Sequence, residues 1–151
     1  MSYYIIQTIL GPIGYEIIEG KIVAIDFNPT KTVFGNETNL SRKIESDIKK
    51  YLICEIKTLD FPIQLKVISF QKNVLEAMKK IPYGETMSYQ QLAKDVGIPK
   101  GSRAVGNACG ANPIPLYYPC HRVIKSDGEL GGFSGGISIK KQLLMIESKN
   151  K

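Results

Sequence analysis

Ser88-Tyr89-Gln90-Gln91-Leu92-Ala93-Lys94-Asp95-Val96-Gly97-Ile98-Pro99-Lys100-Gly101-Ser102-Arg103-Ala104-Val105-Gly106-Asn107-Ala108-Cys109-Gly110 is the stretch on which the fold turns. Ser88 with Gln91 three residues later is a capping box, in which the two side chains satisfy free amides at a helix start. It opens a short helix, Tyr89 to Val96, closed by Gly97. After Ile98-Pro99 a second helix runs from about Gly101 to Gly110. Two short helices joined by a glycine-containing turn form a helix-turn-helix pattern. Ala104, Gly106, Ala108, Gly110 and Ala111 leave the second helix little side-chain bulk. Glycine inside a helix costs about 1 kcal/mol relative to alanine. Such a composition therefore marks either tight internal packing or close approach to a ligand backbone.

Toward the carboxyl end, Asn112-Pro113-Ile114-Pro115-Leu116-Tyr117-Tyr118-Pro119-Cys120-His121-Arg122-Val123 holds the only histidine, beside one of three cysteines. A thiol is a nucleophile as its thiolate, and neighbouring imidazole and guanidinium groups are the usual means of lowering its pKa. The plainer reading is a buried structural cysteine next to a surface histidine. Adjacent residues direct their side chains apart, so proton transfer from Cys120 to His121 needs a turn or a bridging water. An orienting carboxylate would come from Asp127, Glu129 or Glu147, and spacing does not choose among them. Glycines 128, 131, 132, 135 and 136 surround Phe133-Ser134, a flexible loop suited to covering a flat ligand. A last helix begins at Ser138 and ends near Glu147.

Toward the amino end, Ser69 caps a helix through Lys80 with Phe70, Val74, Leu75 and Met78 on its apolar stripe. An Ile63, Leu65, Val67 alternation reads as a strand, and a domain boundary falls there. Leu40, Ile44, Ile48, Tyr51 and Leu52 recur at helical spacing within a helix reaching about Lys57. Tyr3 to Leu10, Gly14 to Glu19 and Ile22 to Phe27 are short strand-like runs broken by Gly11-Pro12 and Gly20-Lys21, which predicts a meander.

The chain has 151 residues and a formal charge of +6, and this excess is uneven. Residues 76–151 hold 11 basic and 6 acidic groups, whereas residues 1–75 hold 9 and 8. No acid lies between Asp95 and Asp127, where Lys100, Arg103, Arg122 and Lys125 cluster around the candidate thiol. A basic face of this kind is either merely solvated or a footprint for nucleic acid. No apolar run is long enough to span a membrane, and the first residues lack the basic segment of a signal peptide, so a cytoplasmic protein is expected. Three widely spaced cysteines fit a reducing compartment, and no CxxC or HxxxH pair suggests a metal.

Pro119-Cys120-His121-Arg122-Val123 is similar to the active-site motif of the O6-alkylguanine-DNA alkyltransferases. Ile81-Pro82-Tyr83-Gly84-Glu85-Thr86-Met87-Ser88-Tyr89-Gln90-Gln91-Leu92-Ala93 resembles the start of that family's helix-turn-helix. Arg103-Ala104-Val105-Gly106 resembles its recognition helix, Asn112-Pro113 its hinge, and Gly131-Gly132-Phe133-Ser134-Gly135-Gly136 its glycine loop. The resemblance covers residues 68–147, and the first 65 residues match only in length and in the order of strands before helix.

The resemblance implies an α+β protein: a ribonuclease H-like α/β domain with a small antiparallel sheet at 1–65, and a mostly helical, winged helix-turn-helix-like domain at 66–151. It implies a monomer that binds double-stranded DNA containing O6-alkylguanine and moves the alkyl group irreversibly to Cys120, with O4-alkylthymine as a further substrate and no cofactor. His121 would be the base, acting through a water and oriented by Glu147, with Asn112 holding the preceding turn. Tyr89 would crowd the 3′ phosphate and donate to guanine N3. Arg103 would fill the stack left by the flipped base, beside Ser102, Ala104 and Gly106 of the DNA-binding helix. Val123 and Ser134 would meet the base, with Phe133 packing on it.

Three features depart from the family pattern. Phe133 stands where many members have tyrosine, Cys109 puts a second thiol in the recognition helix, and the first domain has one cysteine and no histidine, so no zinc site is expected. Two competing functions remain: a damage binder without transfer, against which Cys120 itself argues, and a turning-over cysteine hydrolase, which would want a directly paired histidine.

Overall fold

The computed structural model describes residues 1–151. Three strands, β1 (Ser2–Thr8), β2 (Gly11–Ile18) and β3 (Lys21–Asp26), form an antiparallel meander in the order β1-β2-β3. Ile13, Tyr15 and Ile17 of β2 alternate into the core, as a strand with one covered face requires. The first turn lies at Ile9-Leu10 rather than at Gly11-Pro12, because Gly11, at φ +94°, already opens β2.

Helix α1 (Asn39–Leu52) starts with a reciprocal capping box between Thr38 and Ser41 and buries Ile44, Ile48, Tyr51 and Leu52. It stops five residues short of Lys57, the chain reversing at Cys54, where φ is +69°. The strand expected at 63–67 is reduced to one parallel bridge between Ile63 and Ile22.

Helix α2 (Ser69–Lys79) has Ile68 at its N-cap with no side-chain hydrogen bond, so Ser69 is its first residue and does not cap it. The helix-turn-helix consists of α3 (Tyr89–Asp95) and α4 (Ser102–Gly110). Ser88 Oγ accepts from the Gln91 amide at 3.0 Å, while the Gln91 side chain turns to Asp95, so half of the expected box forms. Two-residue strands β4 (Met87–Ser88) and β5 (Val123–Ile124) pair in parallel, tying the start of α3 to the residues just after Cys120. Helix α5 (Ile137–Asn150) packs on the Cys120 turn and is longer at both ends than the apolar pattern indicated.

The architecture is α+β, and one buried apolar cluster runs from Ile6 of β1 to Leu143 of α5, so the site is braced from both halves of the chain. No helix is long and apolar enough to cross a membrane.

Candidate active site

Cys120 opens a single 3-10 turn, Cys120–Arg122, immediately after Pro119. The loop before it is pinned by Asn112, whose Nδ2 donates to Tyr118 O at 2.9 Å and whose Oδ1 accepts from the Ile114 amide at 3.0 Å. The same side chain also helps to lower the Cys120 pKa through a hydrogen bond. Within this loop Leu116 sits at φ +76°, a costly backbone for a branched residue, so the surrounding contacts must hold it there.

Cys120 is 5% exposed, at the base of a cleft of about 710 Å³. Tyr89, Ser102, Arg103, Gly106, Phe133 and Ser134 line that cleft with it. Six residues expected at the site from sequence thus come together around the thiol. Ala104 is exposed outside the cleft, and Val123 is fully buried in β5 and does not line it.

Burial dominates the thiol's electrostatics and pushes its pKa up to about 11, against smaller lowering effects of Asn112 and Lys140. The side chains that lower it are Asn112 and Lys140, not the neighbouring imidazole and guanidinium. His121 is fully buried, and burial holds its pKa below the ordinary value, so the ring is neutral. Arg122 points away from the thiol: Nε donates to Glu147 Oε1 at 2.7 Å, Nη1 to Ile81 O at 2.7 Å and Nη2 to Tyr51 Oη at 3.1 Å. It is a buried structural anchor and adds nothing to an outward basic face.

Glu147 is the carboxylate that meets the histidine, through His121 Nε2 and Glu147 Oε2. Asp127 is bonded locally within its exposed turn, and Glu129 likewise lies exposed. Although burial opposes its charge, hydrogen bonds from His121 and Arg122 hold the Glu147 carboxyl at a pKa of about 2. With Nε2 committed to Glu147, His121 Nδ1 is left as the free ring nitrogen, and it has no hydrogen-bond partner in the protein. In the tautomer that donates from Nε2, Nδ1 is a proton acceptor.

Tyr89, whose pKa is raised to about 12 by burial and by the neighbouring thiols, keeps its proton and can donate it in a hydrogen bond. Phe133 is backed by Phe27, just after β3, ring centroids 5.3 Å apart. Gly135 allows this stack, since a Cβ there would lie 2.8 Å from the Phe27 ring.

Along α4 the small residues divide by face. A Cβ on Gly106 would make only ordinary contact with the Tyr89 ring at 3.8 Å, so internal packing does not demand glycine there. Ala108 is buried, and its backbone oxygen accepts from Gln71 of α2, so its small size serves internal packing and not an outer surface.

Two residues were missed in the sequence. Lys140 is fully buried, with Nζ donating to Val123 O at 2.7 Å and Gly132 O at 3.2 Å, and its charge lowers the Cys120 pKa. Tyr51 donates to Glu147 Oε2 at 2.9 Å. The signal for Lys140 was its spacing with Leu143 and Glu147, one buried face of α5. Tyr51 had none, because an aromatic on an apolar stripe reads as core. No group of three or more His, Cys, Asp or Glu side chains is placed to hold a metal ion.

A family model described as 6-O-methylguanine DNA methyltransferase, DNA binding domain, matches residues 69–149. The methylated-DNA–protein-cysteine methyltransferase of Methanosarcina acetivorans is 37% identical, over 97% of this chain and 98% of its own. The bifunctional transcriptional activator/DNA repair enzyme Ada of Escherichia coli is 47% identical over 62% of this chain, which corresponds to 26% of Ada. Among solved structures, Mycobacterium tuberculosis OGT in complex with DNA superposes with a TM-score of 0.88 at 33% identity, covering 98% of this chain and 93% of that one.

Proposed function

The chain belongs to the 6-O-methylguanine DNA methyltransferase family, and on that premise we propose that it repairs O6-alkylguanine in double-stranded DNA by taking the alkyl group irreversibly onto Cys120. One observation carries the reading above the others: of the two thiols that line the cleft beside α4, Cys120 is the one followed by a neutral histidine bonded to a buried carboxylate. Cys109, which also lines the cleft, is held by burial at a pKa of about 12 and has no such base.

The target base must leave the duplex to reach a thiol this deep, at a cost of a few kcal/mol. Arg103, at the start of α4, offsets part of that cost by filling the gap in the stack with its flat cation. Gly106 and Ala104 allow the helix close to the sugar-phosphate backbone, with Ser102 beside them. Tyr89 crowds the 3′ phosphate and donates to guanine N3. Phe133, braced by Phe27, packs on the flipped ring, the Val123 backbone reads the exocyclic amine, and Ser134 donates toward O6.

The thiol proton passes through a water to His121 Nδ1, while Glu147 accepts from Nε2–H and steadies the imidazolium that forms. The Cys120 sulfur forms a bond to the alkyl carbon, the carbon–O6 bond breaks, and its electron pair returns to the guanine, which is protonated as it leaves. A thioether is stable, because a thiolate is a poor leaving group from an alkyl carbon, so the step occurs once per protein. A neutral resting thiol suits this economy, because it spares Cys120 from reaction with other electrophiles before DNA arrives. O4-alkylthymine fits the same chemistry.

The same reading makes residues 1–65 a ribonuclease H-like domain and residues 66–151 a winged helix-turn-helix-like domain, acting as a monomer. The meander followed by α1, and the α3–turn–α4 unit with the β4–β5 pair, support that division. The test is a titration of protein against duplex carrying radiolabelled O6-methylguanine. One methyl removed per protein, and none by Cys120→Ala, is expected; continued turnover would overturn the proposal in favour of a hydrolase.

A further inference from the structure

Glu147 is a crossroads of donors. Oε1 takes Arg122 Nε at 2.7 Å and the Gly84 amide at 3.1 Å, and Oε2 takes His121 Nε2 and Tyr51 Oη, the latter at 2.9 Å. Tyr51 lies on α1, 96 residues earlier in the chain, and is 3% exposed. Its hydroxyl is fully used, donating to Glu147 and accepting from Arg122 Nη2 at 3.1 Å. The Tyr83 ring closes the network edge-on to Tyr51, centroids 6.0 Å apart, and beneath the Arg122 guanidinium. The part of the chain remote from the DNA-facing helices thus reaches the proton machinery through one oxygen.

We propose that Tyr51 is a positioning residue for the transfer, acting through Glu147 to set how tightly His121 holds a proton. The inference rests on the alkyl-acceptor reading but concerns a property measurable without DNA. A carboxylate oxygen that accepts from a tyrosine hydroxyl has less charge to offer an imidazolium on the same oxygen. Removing the hydroxyl strengthens the hold of Glu147 on protonated His121 and raises the ring's proton affinity. Arg122 loses its Nη2 bond to that hydroxyl but keeps its contacts to Glu147, through Nε to Oε1 and through Nη2 to Oε2 at 3.4 Å, while Lys140, Cys120 and Tyr83 are left in place. Glu147 also loses the contact that fixes its rotamer from the side of α1.

His121 is the only histidine, so its ring signals in an ¹⁵N nuclear magnetic resonance spectrum need no assignment. The experiment follows those signals with pH in the wild-type protein, in Tyr51→Phe and in Tyr15→Phe. Tyr15→Phe is a control that removes another buried hydroxyl, bonded to Ser41 O and not to Glu147. The expected result is a midpoint raised in Tyr51→Phe by about half a pH unit or more, a threefold change in proton affinity. The midpoint is unchanged in Tyr15→Phe, and the pH profile of methyl transfer moves with the ring while DNA affinity does not. A Tyr51→Phe midpoint that stays put or falls, or an equal shift in Tyr15→Phe, overturns the proposal. Absence of methyl transfer in the wild type would instead overturn the function and leave the titration result standing.

Discussion

At the scale of single residues, the site separates a latent nucleophile from the base that activates it. Cys120 is raised to about 11 by burial, so iodoacetamide labelling of the free, folded protein should be slow at neutral pH and climb steeply into the alkaline range. Fast labelling near pH 7 would show that the resting thiol is already ionised. Arg103 is exposed at the mouth of the cleft, and Arg103→Ala should slow methyl transfer about tenfold or more, equivalent to a lost ~1.4 kcal/mol. Single-turnover kinetics set against binding to undamaged duplex would separate this from a simple loss of phosphate affinity. The Cys120-His121 pair was legible in the sequence because one histidine leaves no other choice, and the neighbouring motifs supplied the roles. The direction of Arg122 was not, since a residue next to a nucleophile can face either way on a 3-10 turn. Nor could spacing rank Glu147 above Asp127 and Glu129, because the return of α5 to the Cys120 turn is set by tertiary packing.

At the scale of elements, α4 illustrates how one composition serves two faces. Its small residues were readable as a group, but only packing shows that Ala108 fills the contact with α2 while Gly106 is under no internal constraint. Gly106→Ala should therefore stabilise the free protein by about 0.5–1 kcal/mol, the cost of glycine in a helix. The same variant should bind DNA less tightly if the helix approaches the backbone there, and urea melts with a binding isotherm check both halves. The α3–turn–α4 unit was recoverable because Ser88, Gly97 and Pro99 punctuate it. The end of α1 was not, because its stop comes from the left-handed turn at Cys54, a conformation no cysteine advertises.

At the scale of the whole molecule, the buried cluster shared between the sheet and α5 makes the chemical site part of global stability. Glu147 has a folded pKa of about 2, below the ~4.3 of an unfolded glutamate, so its contribution is present above that value and is lost as pH falls toward 2. Glu147→Gln should cost about 3–5 kcal/mol near neutrality by leaving buried Arg122 without its counter-charge, and should flatten the acid slope between about pH 4.5 and 2. Thermal melts across that window would show it. The excess of basic over acidic groups in the second half of the chain predicts binding that weakens steeply with salt and depends little on sequence. Transfer to Cys120 is tested by peptide mass spectrometry after exhaustive reaction with duplex bearing O6-methylguanine. One methyl per chain is expected, on the peptide containing Cys120, in amount equal to the lesions removed. Repaired DNA beside an unmodified Cys120, or a methyl found on Cys109 instead, would contradict it.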